Sequence, residues 1–296
     1  MKKLFLVMNP YAGKRKGNRV LADILTLFNR HGYEVTVHMT AGPGDGALAV
    51  EQRGKDMDLI VAMGGDGTLN EVITGLLRSG WDIPLGYIPC GSTNDFANSL
   101  HIPTKLMDAA KFIVEGTPVS YDVGRFQNRN FSYVASFGAF TKASYATSQK
   151  VKNSLGHLAY LLAGAKELFH MPREKVAFFT DAGDFEGEYV YGAISNSTSV
   201  GGVLTLDPKR VDMQDGKFEL MLIRATRNPF KLLGVIFSLL RKKYDHPMVT
   251  FRAVTRLKVT CRADMPWTLD GEKFDGAGQL AVENLHHAIR LVMPHE

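Results

Sequence analysis

A chain of 296 residues, 45% hydrophobic and 22% charged, has room for two globular domains and is neither disordered nor fibrous in composition. Its net charge of +5 suits contact with something anionic, but the basic clusters Lys14, Arg15, Lys16, Arg19 and Arg241, Lys242, Lys243 sit in no nucleic-acid-binding motif and read equally as solvated faces. The cysteines Cys90 and Cys261 stand in no disulfide framework or metal-ligand spacing, and the apolar stretch Leu232 to Leu240 falls well short of the roughly 20 residues of a membrane-spanning helix, so a reducing, cytosolic setting is expected.

In chain order, the apolar segment Leu4 to Met8 is too short for a signal-peptide core and reads as a buried first strand. Further strands are expected at Val35 to Met39, Leu59 to Met63 and Leu85 to Ile88, with helical periodicity between them, as in Val20 to Arg30. That alternation predicts an amino-terminal parallel α/β domain over residues 1–124. Ligands of such sheets bind beyond the carboxyl ends of the strands, so the loops after Met8, Met39, Met63 and Ile88 are where chemistry is expected. From residue 125 the texture changes to short alternating strands, at Phe131 to Phe137, Val176 to Thr180, Tyr189 to Ile194, Phe218 to Ile223, Leu257 to Cys261 and Ala288 to Met293. A β-sandwich over residues 125–296 is predicted, with the last residues returning to the first domain. Two helical segments interrupt it, Leu155 to Phe169 and Pro229 to Lys243.

The sharpest local signal is the run Gly64, Gly65, Asp66, Gly67, Thr68, Leu69, Asn70 and Glu71, directly after a strand and directly before a helix. Glycines let backbone amides approach an anion, and amides at a helix amino terminus make a phosphate site, with Thr68 and Glu71 at the spacing of a capping box. Asp66 would repel phosphates unless a cation lay between them, which assigns it to the metal that accompanies a nucleotide. A plain Asp-Gly turn is the bland alternative. The loop Asn9, Pro10, Tyr11, Ala12, Gly13 and the loop Gly91, Ser92, Thr93, Asn94 carry small donors suited to phosphate and ribose, although turns use the same residues. Neither matches the P-loop or the dinucleotide fingerprint. Downstream, Asp270, Gly271 and Glu272 form an Asp-Gly hairpin signal in which Glu272 is either a polar strand residue or a base for a hydroxyl proton. Asp207, Asp212 and Asp215 surround another turn, read as a plain hairpin or as oxygen ligands for a hard cation.

Together these four ordered motifs resemble the diacylglycerol kinase catalytic family, in its bacterial lipid-kinase branch, and more distantly the sphingosine and ceramide kinases. The Gly-Gly-Asp-Gly-Thr element alone is shared with phosphofructokinases and NAD kinases; the motif from Gly91 to Ala97 separates them. The resemblance implies an ATP-dependent lipid kinase, with diacylglycerol as the default acceptor and phosphatidic acid as product. It implies that ATP is held by Asn9, Pro10, Tyr11, Ala12, Gly13, Thr40, Gly64 to Glu71, Gly91, Ser92, Thr93 and Asn94. Glu272 matches the catalytic base, with Asp66 and Asp270 supporting nucleotide or metal. A structural Mg²⁺ is implied at Asp212, Asp215 and Lys217, the lysine offering only its backbone carbonyl. The resemblance further implies a cytoplasmic protein peripheral to the inner face of the membrane, with precedent for a homodimer and no nucleic-acid partner. Pro229 to Lys243 reads either as a contact with an anionic bilayer or as a core-packing helix. Two rival functions stay open: a soluble small-molecule kinase of the NAD kinase class, and a non-catalytic nucleotide- or lipid-binding regulator.

Overall fold

Leu4, Phe5, Leu6, Val7 and Met8 are all fully buried, so the strand they form is covered on both faces. An unbroken apolar run is what a parallel strand between layers of helix requires. In the computed structural model, which describes residues 1–138, 172–200 and 204–294, this strand is β1 (Lys2–Met8). There follow α1 (Lys16–Arg30), β2 (Tyr33–Met39), α2 (Asp45–Arg53), β3 (Leu59–Gly64), α3 (Asp66–Ser79), β4 (Leu85–Pro89), α4 (Asp95–Ser99) and α5 (Leu106–Glu115). β1 pairs in parallel with β2 and β3, and β3 with β4, in the order β2-β1-β3-β4. The predicted parallel α/β region is therefore present, with α1 starting four residues before the expected Val20.

Helix packing follows from small residues at the contacts. α1 buries Ile24 and Phe28, one turn apart, and a side chain at Gly17 would meet the Met63 and Met8 methyls at 2.9 and 3.0 Å. At Gly75 of α3 a Cβ would lie 2.7 Å from the Ala47 carbonyl of α2, so these two helices touch backbone to backbone.

The chain divides into two units, Met1–Val123 with His286–Glu296, and Gly124–Leu285. Its second part contains β5 (Thr117–Phe126), β6 (Arg129–Phe131), β7 (Val134–Gly138), β8 (Glu174–Thr180), β9 (Gly183–Ser195), the two-residue strands β10 (Ser199–Val200) and β11 (Leu204–Thr205), and β12 (Phe218–Arg224). Then come α6 (Pro229–Leu240), β13 (Val249–Val254), β14 (Arg256–Thr260), β15 (Pro266–Leu269), β16 (Glu272–Asp275) and β17 (Gln279–Met293). Within this region the pairings are antiparallel: β16 with β15, β15 with β7, β7 with β9, β9 with β8 and β12, β8 with β14, and β14 with β17. Its core is aromatic, with Phe126 and Phe137 each 4.9 Å from Trp267, ring centroid to centroid.

Two readings from the sequence change. The predicted strand Phe131 to Phe137 is broken at Ser132 and Tyr133, whose amides bond the Asp270 carboxylate. The predicted Ala288 to Met293 is the end of the longer β17, which pairs with β5 and at Leu291 also pairs in parallel with Leu85 of β4. The predicted helix Leu155 to Phe169 lies outside the described residues.

Candidate functional site

The registers of the parallel sheet bring the four strand ends level. Met8 is opposite both Met39 and Met63, and Met63 opposite Ile88. Strand order reverses direction between β1 and β3, which is the position where open α/β sheets form a ligand crevice. The loops leaving these strands are tied to one another through backbone. Asn9 N–H donates to Met63 O at 2.9 Å, Thr40 N–H to Met8 O at 2.8 Å, and Cys90 N–H to Gly64 O at 2.6 Å. The first loop is set by Asn9, whose side-chain oxygen accepts the Tyr11 N–H at 2.9 Å. It then turns left-handed through Gly13, Lys14 and Arg15, with φ of 54°, 58° and 61°. A side chain at Gly13 would collide with the Cys90 carbonyl.

Gly65 and Gly91 stand against each other, so that a Cβ on Gly91 would lie 2.8 Å from Gly65 Cα. Gly65 is also the residue preceding α3 and caps it with no side chain, which leaves the first turn without the acceptor a side-chain cap would supply and suited to an anion. Across from it, Asn94 is nearly buried in a left-handed conformation, donating to Gly91 O at 3.1 Å, and its side-chain oxygen has no partner. An uncapped helix terminus, two glycines in contact and an orphaned acceptor suit a polyanion carrying hydroxyl or amino donors. Gly91→Val would push the two loops apart; the expected result is roughly 10-fold or greater weakening of nucleotide affinity, from overpacking of about 1–3 kcal/mol, measurable by titration calorimetry.

The Thr68–Glu71 capping box does not form, because α3 begins two residues earlier, at Asp66. Glu71 instead accepts N–H bonds from Gly44 at 2.8 Å and Gly46 at 2.9 Å, supplying the amino terminus of α2 with the acceptor that Gly44 cannot. Leu69 is fully buried, so its side chain belongs to the core and faces no ligand. Asp66 accepts the Asp95 N–H at 3.2 Å and the Phe96 N–H at 3.3 Å, with the Thr93 hydroxyl at 3.5 Å. As placed, Asp66 anchors the loop after β4 to the start of α3. Burial, and after it the Asp66 charge, raise the Tyr87 phenol well above its usual range, so that hydroxyl stays neutral beneath the loop.

In the second unit, Asp270 and Gly271 form the two-residue turn between β15 and β16, with φ of 50° and 83°, as hairpin turns with two left-handed residues require. The Asp270 carboxylate accepts three backbone N–H bonds, from Ser132 at 2.5 Å, Tyr133 at 3.0 Å and Val134 at 3.1 Å. Those amides turn toward it, which is why the predicted strand Phe131 to Phe137 breaks there. Asp270, expected among the catalytic group, ties the turn before Glu272 to the backbone of Ser132 to Val134. Glu272 is exposed on 61% of its side chain and pairs with Arg129 at 2.8 Å. Arg129 had drawn no notice in the sequence, and nothing in its local pattern marked it.

Of the residues implied for a structural cation, Asp212 accepts the Gln214 N–H and Asp215 the Lys217 N–H, both at 2.9 Å, while the Lys217 carbonyl accepts from Asn284 at 3.0 Å. Glu219, on β12, was missed. It is 3% exposed, one of its carboxylate oxygens has no partner, and burial, with the charges of Asp215 and Asp212 behind it, pushes its pKa up to about 9. A lone carboxylate inside the apolar run Phe218 to Ile223 was the available signal. The carboxylates of Asp212, Asp215 and Glu219 do not come within 4.8 Å of one another as a set; among the described residues, Asp122, His286 and His287 bring three ligand atoms that close. The two imidazoles are stacked, centroids 3.7 Å apart and planes 27° apart, so their lone pairs lie in separate, nearly parallel planes, a poor arrangement for sharing one ion. We read this group as a hydrogen-bonded one, Asp122 accepting from His286 Nδ1 at 2.9 Å and from the His287 N–H at 2.8 Å.

Residues 3–126 match the family described as "Diacylglycerol kinase catalytic domain". Over 301 residues, spanning 100% of this chain and 98% of the relative, the sequence is 34% identical to a diacylglycerol kinase of Bacillus subtilis. The chain belongs to the diacylglycerol kinase family. It is 30% identical over 300 residues to a diacylglycerol kinase of Staphylococcus carnosus, covering 96% of that protein. The fold is that of a diacylglycerol kinase crystal structure from Bacillus anthracis, with a TM-score of 0.77, 20% identity and coverage of 99% of this chain and 97% of the other. Another chain from the same organism gives a TM-score of 0.81 at 20% identity over 99% of this chain and 95% of that one. Membership makes the protein a phosphotransferase with an alcohol acceptor and implies the use of ATP. No helix among the described residues is long and apolar enough to cross a membrane.

Proposed function

We propose that this kinase transfers the γ-phosphoryl group of ATP to the free hydroxyl of diacylglycerol, giving phosphatidic acid, with Glu272 as the general base. The observation that carries the donor half is the contact of Gly65 with Gly91 beside the uncapped start of α3. The acceptor is drawn from the full-length relatives, each a diacylglycerol kinase. Bound ATP with its divalent cation supplies an electrophilic phosphorus and a good leaving group. The chain's own residues do the rest. First-turn amides of α3 hold negative charge, Asn94 offers its acceptor oxygen to a donor on the nucleotide, and Glu272 takes the hydroxyl proton as the lipid oxygen attacks. Arg129 holds the Glu272 carboxylate before substrate arrives; an exposed pair of this kind contributes only about 0–1 kcal/mol and yields readily.

The donor types at Asp212, Asp215, the Lys217 carbonyl and Glu219, one of whose carboxylate oxygens has no partner, suit a hard cation, and the three carboxylates would have to draw together to share it. Millimolar Mg²⁺ is expected to raise the melting temperature of the wild-type protein by several degrees and that of Asp215→Ala hardly at all, as read by calorimetry. An equal rise in both would remove Asp215 from the site.

The proposed setting is the cytoplasmic face of an anionic membrane, where substrate and product reside. The functional test is ATP consumption against diacylglycerol, sphingosine, NAD and fructose 6-phosphate. Turnover is expected with diacylglycerol; turnover confined to a water-soluble acceptor would overturn the lipid assignment.

A further inference from the structure

α6 has two apolar faces where a helix packed on a core needs one. Leu232, Val235 and Leu239 are buried at 0%, 0% and 6% exposure and hold it to the second unit. On the other side Phe230 is 79% exposed, Phe237 49% and Leu240 39%. Phe230 and Phe237 lie seven residues apart, two turns along one face. The sequence left a choice between a core-packing and a membrane-facing helix here, and the structure gives the helix one buried apolar face and one exposed apolar face. The end of the helix is well made: the Asn228 side chain accepts the Phe230 N–H at 2.9 Å with Pro229 in the first turn, so the outward phenylalanine is presented by an ordered terminus.

The charges carried along this segment of the chain are of one sign. Arg224, Arg227, Lys231, Arg241, Lys242 and Lys243 are all exposed, and no acidic residue occurs from Arg224 to Tyr244. Cations after a helix complement its dipole, which accounts for Arg241 to Lys243 but for neither Lys231 nor the two phenylalanines. The Arg241 guanidinium lies 4.0 Å from the Phe237 ring centre, and Lys243 is folded back by its N–H and carbonyl onto Ser238, keeping cation and ring together. Exposed aromatics ringed by cations match an anionic interface, where rings enter the headgroup layer and cations meet lipid phosphates. A second copy of the chain would bring like charges together on the same face, which disfavours self-association.

We propose that α6 is the docking element for an anionic phospholipid bilayer, with Phe230, Phe237 and Leu240 inserted and the flanking arginines and lysines on the lipid phosphates. The inference rests on the lipid-kinase reading and deepens it, naming the part of the protein that meets the surface where the acceptor resides.

The test is co-sedimentation of the full chain with vesicles of phosphatidylcholine alone and with added phosphatidylglycerol. Wild-type protein is expected on the anionic vesicles, with binding lost as salt is raised. Phe230→Ser with Phe237→Ser should reduce that partition by roughly 10-fold or more, since two rings no longer leave water. Lys242→Glu with Lys243→Glu should abolish the preference for phosphatidylglycerol. Both variants change exposed positions, and both should keep wild-type turnover on short-chain diacylglycerol dispersed as monomers. Undiminished vesicle binding by both variants overturns the docking proposal, as does a change in oligomeric state with no change in vesicle binding. Vesicle binding through α6 by a protein that phosphorylates no lipid would leave docking standing and sink the kinase reading instead.

Discussion

Glu272→Gln lowers phosphoryl transfer by roughly 10²–10⁴-fold and leaves nucleotide affinity within a factor of about two, the range expected for loss of a general base that takes no part in binding. Glutamine keeps the size and the hydrogen-bonding oxygen of the side chain, so it can still meet Arg129, and it removes only the capacity to take a proton. The position favours a clean result. Glu272 begins β16 immediately after a two-residue turn and is largely exposed, so the change leaves no buried group unsatisfied. Steady-state kinetics together with calorimetric ATP binding check it. A variant that keeps more than about a tenth of wild-type turnover has lost no base, and Glu272 would then be an ordinary strand residue.

The second large effect falls on stability. Asp270→Ala removes the acceptor of three backbone N–H bonds at once and leaves Ser132, Tyr133 and Val134 with donors turned toward an empty position. Bonds to a charged acceptor contribute about 1.5–3 kcal/mol each, and unsatisfied donors are penalised further, so with non-additivity a loss of roughly 3–5 kcal/mol is expected. Asp270→Asn, with one acceptor oxygen in place of two, should fall between. Urea denaturation reads the loss, and ATP titration should read little change in affinity. The opposite pattern, with stability kept and ATP or Mg²⁺ binding gone, would restore Asp270 to the role the family resemblance implies.

The contrast between these two residues marks where the sequence was readable. Strands β1, β3 and β4 announce themselves as unbroken apolar runs, because a parallel strand buried on both faces admits little else, and the loops that follow them are found by counting from the strand ends. Glycine at 65 and 91 is legible for the same local reason: close approach of backbone demands it. What stayed hidden depends on partners far along the chain. Asp270 looks like one half of a common turn until the amides of Ser132 to Val134 are seen around it, and Glu71 looks like the cap of its own helix although it caps α2. Asp66 likewise bonds to residues about thirty positions away. Glu219 was legible in principle, as a carboxylate in an apolar strand, but its consequence comes from burial, which no sequence pattern records. α6 was ambiguous because an apolar stripe reads the same whether it meets a core or a bilayer; only exposure separates Leu232 from Phe230.

The central claim is that a lipid hydroxyl oxygen attacks the γ-phosphorus of ATP. Diacylglycerol carrying heavy oxygen at its free hydroxyl, incubated with the enzyme, ATP and Mg²⁺, tests it in one mass spectrum. The account predicts phosphatidic acid that retains the heavy oxygen in the bridge between lipid and phosphorus. A phosphorylated lipid that has lost it, or phosphate found only on a water-soluble acceptor, would contradict it.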